Sequence, residues 1–288
     1  MKNKFKVQSS KPKTAEDRRP KAENRKPKTE NRQASFAIHN SQSAILFGVL
    51  PVLEALRAEN RRVEKIFIAD GAKEKRLFEI MDLARERGIQ FQKIPRENFS
   101  RYVETDANHQ GVLAFVAAAN YVDAAELLEE IYSKENVLIV ILDGVEDPRN
   151  LGAILRTVEC AGADAVFIPE RRAVGLNETV AKSSAGATEY IKVAKVSNIN
   201  RLIDELKENN IWVVGAGGEA EIDYTVWDWK QKSALILGGE GKGLHRLVAE
   251  KCDALVKIPM LGRIESLNVS VACGVILFEA VRQRIQSL

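Results

Sequence analysis

From residue 137 to residue 142 the chain reads Val-Leu-Ile-Val-Ile-Leu, an unbroken apolar run. A strand with one wet face would alternate polar and apolar residues. A continuous run suits a strand covered on both faces, as in parallel sheets. The segment Asp147-Pro148-Arg149-Asn150 then opens a helix predicted to run through Ala161, with proline in its first turn. Further strands are predicted at 165–168, 191–196, 211–215, 234–237 and 254–258, and helices at 199–208, 244–251 and 268–285. Such alternation predicts an α/β fold with a mostly parallel sheet covered by helices.

A smaller α/β unit precedes it. Residues 36–119 carry predicted strands at 63–69, 89–94 and 111–119, with helices ending at Arg57 and before Gly88. Residues 120–136 are expected as a linker with a helical stretch, and 137–288 as the second domain. Residues 1–35 have almost no apolar side chains and are predicted to be a disordered tail. That tail holds 12 Lys/Arg against 4 Asp/Glu, whereas the remainder holds 31 against 36. A basic tail on a slightly acidic body is either a contact for a polyanion or a solubilising extension.

Composition removes several classes. No apolar run approaches the roughly 18 residues of a membrane span, and the lysine-rich start lacks the apolar core of a secretory signal. Cys160, Cys252 and Cys273 are far apart and sit in apolar stretches, so they are expected to be buried residues of a cytoplasmic chain, not disulfides or zinc ligands. His39, His109 and His245 lack metal-ligand spacing, and no metal is expected.

The glycine motifs need separating. Gly215-Ala-Gly-Gly-Glu-Ala220 matches a dinucleotide fingerprint, but no helical period follows it, so it is predicted to be a loop. In Leu237-Gly-Gly-Glu-Gly-Lys-Gly243 the lysine precedes glycine and not Ser or Thr, so it is not a phosphate-binding P-loop. Asn150 can cap its helix, and Gly152 leaves room for close approach. Arg156 lies among Ile154, Leu155 and Val158. It needs an acceptor, either an acid such as Glu159 or Glu240 in a structural ion pair, or a phosphate. Ser266-Leu-Asn-Val-Ser270 opens the last helix. Ser266 or Asn268 can cap it, and the same free amides can hold an anion. Asn108-His-Gln-Gly111 alone is a polar turn.

In combination these segments resemble a known family. Asn150-x-Gly-x-x-x-Arg156-Thr157, then Leu237 to Gly243, then Ile258-Pro-Met…Ser-Leu-Asn-Val-Ser are similar to the three ordered motifs of the SpoU (TrmH) RNA ribose 2′-O-methyltransferases. Phe47-Gly-x-x-Pro-Val-Leu-Glu-Ala-Leu and Asn108-His-Gln-Gly-Val resemble the small RNA-binding domain attached to many of them. The combination looks most like the branch that methylates a guanosine of 23S rRNA (the RlmB type).

The resemblance implies a SPOUT-type trefoil-knot domain, S-adenosylmethionine as cofactor, an RNA partner and a homodimer. It places catalytic roles on Asn150, Arg156, Glu240, Ser266 and Asn268. It places cofactor contacts on Gly238, Ile258 and Leu267, with Gly239, Gly243 and Met260 shaping the pocket. Position 239 is commonly Ser or Ala in the family and is glycine here. The same motifs serve tRNA and resistance-type rRNA targets. A non-catalytic ribosome-assembly factor of this fold is the rival from another class.

Overall fold

The apolar run becomes the heart of a seven-stranded sheet because both its faces are covered. In the computed structural model, which describes residues 43–286 except 73, 74, 105, 106 and 242, the run forms strand β5 (Leu138–Asp143), and alternate residues go to opposite cores. Leu138, Val140 and Leu142 face one cluster, and Val137, Ile139 and Ile141 face the other. The expected tail at 1–35 lies outside the described residues.

The chain first builds a four-stranded sheet from β1 (Ser43–Phe47), β2 (Val63–Ala69), β3 (Gln90–Ile94) and β4 (Val112–Ala117), ordered β1-β4-β2-β3. β4 runs antiparallel to both neighbours, while β2 and β3 are parallel. Helices α1 (Val49–Ala58) and α2 (Lys75–Glu86) cover one face. Phe67, Phe99 and Leu113 fill the other, beneath a short 3₁₀ helix at Arg96–Arg101.

The large sheet follows. Its strands are β5 (Leu138–Asp143), β6 (Ala165–Pro169), β7 (Lys192–Val196), β8 (Trp212–Ala216), β9 (Ile222–Asp223), β10 (Ser233–Gly238) and β11 (Ala254–Lys257). Their order is β7-β6-β5-β10-β8-β11-β9, and every pair is parallel. Strand order therefore reverses beside β10, and in open parallel sheets such a reversal leaves a crevice at the carboxyl ends. α4 (Pro148–Cys160) and α8 (Val269–Ile285) pack on one face. The other face is covered by α6 (Ile199–Glu208), by α7 (Arg246–Lys251) and by α3 (Ala124–Tyr132). α3 corrects the expectation for 120–136. Its Leu127, Leu128 and Ile131 are buried in the core of the large sheet, so this stretch is part of the layer.

The described residues form one compact unit. A helix that sequence patterning misses, α5 (Glu178–Ser183), helps to join its two sheets by packing on both α4 and β1. Gly152 makes room for it, because a Cβ there would lie 2.4 Å from that of Ser183 and 2.8 Å from the Val180 carbonyl oxygen. Beside this seam the Arg61 guanidinium makes a two-armed bond to the Glu189 carboxylate. Side-chain exposure is 6% for the arginine and 3% for the glutamate. The Asn60 side chain donates to the Glu189 carbonyl, and the Tyr190 hydroxyl donates to Glu54 at 2.6 Å.

Candidate active site

The cleft at the strand reversal has a volume of about 830 Å³. Its walls are four turns, at 216–218 after β8, 237–243 at the end of β10, 256–260 at the end of β11, and 264–269 leading into α8. Leu237, Val256, Ile258, Val269 and Ile276 give it an apolar base. Main-chain groups and a few polar side chains supply the rest.

The glycines of the second turn are fixed by close approach. A Cβ on Gly238 would lie 2.1 Å from the Gly243 carbonyl carbon, and one on Gly239 would lie 2.3 Å from the Gly144 carbonyl oxygen. Glycine at 239 therefore does more than loosen the turn, since it lets the turn sit against the end of β5. Gly239 and Gly243 pair across the turn, with the Gly243 amide donating to the Gly239 carbonyl at 3.2 Å. Gly241 and Gly243 take φ of 75° and 64°, a region that suits glycine.

Asp143, buried at the end of β5, anchors both ends of this turn. Its carbonyl accepts the Gly239 amide at 3.0 Å. Its Oδ2 accepts the His245 amide at 2.8 Å, and its Oδ1 lies 2.8 Å from His245 Nδ1. Sequence reasoning missed this residue. The signal available was a carboxylate closing an apolar strand.

Three polar side chains from distant segments meet at the cleft mouth. The side-chain amide of Asn150, buried in the first turn of α4, donates to Glu240 Oε1. Asn268 Nδ2 donates to Asn150 Oδ1 at 3.0 Å and approaches Glu240 Oε1 at 3.3 Å. Asn268 Oδ1 accepts the Ser270 amide at 2.9 Å, so Asn268 and not Ser266 caps α8. Asn150 does not cap α4, because Asp147 accepts the Arg149 amide there.

Gly238, Gly239, Glu240, Gly243, Ile258, Met260, Ser266, Leu267 and Asn268 all line the cleft. Asn150 reaches it through Glu240 and Asn268. Arg156 does not line it. Its side chain is exposed on α4, and among the described residues it forms no hydrogen bond or ion pair. The structural ion pair with Glu159 or Glu240 is thus absent among these residues. Sequence reasoning also missed the turn at 216–218. As predicted, no helix follows it. β9 pairs with β11 instead, and the turn supplies a cleft wall. Among the described residues no cluster of His, Cys, Asp or Glu has a metal-binding arrangement, and no helix is long and apolar enough to cross a membrane.

Residues 137–278 match the SpoU rRNA Methylase family, and residues 45–122 match the RNA 2′-O ribose methyltransferase substrate-binding domain. A Bacillus subtilis protein, YacO, assigned to the TrmH family of tRNA/rRNA methyltransferases, is 42% identical over 85% of this chain and 98% of its own length. The chain belongs to the SpoU family of RNA methyltransferases. This SpoU-family chain is also similar to solved structures. An AdoMet-bound rRNA methyltransferase from Sinorhizobium meliloti is 26% identical, with a TM-score of 0.69 over 84% of this chain and 88% of that one. The AdoMet complex of AviRb from Streptomyces viridochromogenes is 24% identical, with a TM-score of 0.70 over 85% of this chain and 92% of that one, and shows the SpoU fold.

Proposed function

We propose that this chain transfers a methyl group from S-adenosylmethionine to a ribose 2′-hydroxyl of RNA, with a guanosine of 23S rRNA as the target. The observation that carries this reading is the Asn150–Glu240–Asn268 cluster at the mouth of the glycine-turn cleft. The cleft suits an adenosyl group, because an apolar base beside main-chain donors and acceptors grips a flat heterocycle without a charged side chain. In this reading Gly238, Ile258 and Leu267 hold the cofactor, while Gly239, Gly243 and Met260 shape its walls. The same reading carries a trefoil knot in the C-terminal domain.

When bound, S-adenosylmethionine supplies a methyl group already activated by its sulfonium charge. The protein is left with alignment and with removal of one proton. Glu240 Oε1 is held by two amide donors, whereas Oε2 makes no hydrogen bond among the described residues. In this reading Oε2 accepts the proton, with water and a phosphate oxygen as the alternative acceptors. Ser266 and Asn268 orient the ribose and its phosphate from the start of α8. A guanidinium is a poor base, so in this reading Arg156 steadies the developing alkoxide and the neighbouring phosphate.

Because Arg156 lies outside its own cleft, the reading includes a homodimer. Val271 and Phe278 are each 50% exposed on α8, which packs against α4. A second copy covering this apolar face would bury them and bring a cleft near Arg156.

Two measurements test the proposal. Calorimetry with S-adenosylmethionine on the purified chain is expected to show one-site uptake. Mapping of 2′-O-methylation in total RNA, with and without the gene, is expected to show one lost guanosine in 23S rRNA. Absence of uptake would end the reading. A lost mark in tRNA would redirect only its substrate.

A further inference from the structure

α5 contains an unmade ion pair. Glu178 and Lys182 stand at i and i+4, the spacing at which Glu and Lys ordinarily bond along a helix. Here Glu178 is turned to the Ile45 backbone, and burial together with nearby Glu104 pushes its carboxyl toward the protonated form. The Lys182 ammonium lies 4.6 Å over the centre of the Phe47 ring instead. A ring face holds a cation in place without cancelling its charge. Among the described residues Lys182 has no carboxylate partner, and neither does Arg96.

The third group is His109. Its ring stacks on buried Phe99 with centroids 4.4 Å apart, and its Nδ1 accepts the Gly111 amide at 3.1 Å. That bond leaves the ring proton on Nε2, where it can be donated. Phe47, which carries Lys182, packs against the apolar cluster that contains Phe99, and Arg96 precedes Phe99 by one turn of the same 3₁₀ helix, so both cations are set around the ring that His109 stacks on. Burial first, and then the positive charges of Arg96 and Lys182, hold the imidazole below its usual pKa. The neighbouring Gln110 is pinned by its own side chain, whose Oε1 accepts the Val49 amide at 2.9 Å, and its φ is 53°.

We propose that Lys182, Arg96 and the Nε2–H edge of His109 form a binding site for an RNA backbone phosphate at the seam between the two sheets. The site rests on the reading of this chain as an RNA methyltransferase and adds a subsite to it. Lys182 comes from the methylase region, while His109 and Arg96 come from the small domain, so the phosphate would be held from both sides. Ser183, next to Lys182, packs on Gly152, two residues from Asn150. A strand gripped here is thus attached to the helix that carries one corner of the polar cluster.

The test uses the full chain, a labelled single-stranded oligoribonucleotide and protein-free ribosomal RNA. Lys182→Met keeps an apolar stem over Phe47 and removes only the charge. It is expected to weaken RNA binding about three- to tenfold at moderate salt and to lower the slope of log affinity against log salt by about 1. Adding Arg96→Gln should lower the slope by about 2 in all, and Lys182→Arg should restore most of the affinity. Uptake of S-adenosylmethionine should be unchanged in each, which reports an intact fold and cleft. Equal affinity and equal slope for wild type and Lys182→Met would overturn the site. Methyl transfer, measured on the same preparations, stands or falls separately.

Discussion

The cleft and the seam handle charge in opposite ways. At the cleft mouth the Glu240 carboxylate is met by neutral amides from Asn150 and Asn268. The walls are glycine turns held against one another by main-chain contact. At the seam, Arg61 and Glu189 close on each other almost out of water, while Lys182 and Arg96 have no counterion among the described residues. The cleft is thus organised around shape, and the seam around charge left over. The flat adenosyl group of the proposed cofactor suits the first, and a polyanion suits the second.

The sharpest way to break this contrast is at the seam's closed pair. Glu189→Ala leaves the Arg61 guanidinium buried without its partner, which should cost about 3–5 kcal/mol in denaturant unfolding. The same loss in Arg61→Ala, with much less in a double change to two apolar residues of similar volume, would show that the pair serves attachment. A loss below about 1 kcal/mol would mean that the pair behaves as an exposed one.

For the proposed methyl transfer, Arg156→Ala should lower kcat/KM on the order of 100-fold while leaving cofactor uptake near wild type. Arg156→Lys distinguishes its roles. Partial activity with a flat pH profile fits a stabilising cation, whereas a profile that follows lysine ionisation would return the role of base to this position. Asn150→Ala removes a buried donor from Glu240 and should cost about 1–3 kcal/mol in transition-state stabilisation, read as kcat/KM. Ser266→Ala should reduce positioning of RNA and leave cofactor affinity unchanged. A large loss of uptake would contradict that assignment.

The large sheet was legible because burial on both faces leaves its mark as unbroken apolar strands. The 137–142 run and the 234–237 strand show this most clearly. Other features were not. β1 is a short strand whose pairing with β4 lies far away in sequence, and local pattern cannot reveal it. α5 spans only Glu178–Ser183, too short to display a helical period. The helical part of 120–136 has ordinary amphipathic spacing, and only the sheet beside it shows that this segment is core. The candidate site divides in the same way. The glycine turn and Asn268 were visible as motifs, whereas Asp143 and the turn at 216–218 become site residues only when strand order brings them there.

The smallest expected effect concerns the cysteines. Burial pushes the Cys252 and Cys273 thiols up to about 12, while Cys160 is exposed on α4. Because the thiolate is the reactive form, mild alkylation should label Cys160 first and spare Cys273 until the chain unfolds. Early labelling of Cys273 would show that the contact between α4 and α8 opens readily.

The ion pair of Arg61 with Glu189 has a consequence for which nucleotide is chosen. By fastening the small sheet to the methylase layer it makes the chain a caliper with a set jaw. Under the function proposed above, a folded RNA held at one jaw would present to the other only the sugar that lies at the right span along its path. Selection of a single position would then need little reading of base identity, since the fixed gap between the jaws would do the counting.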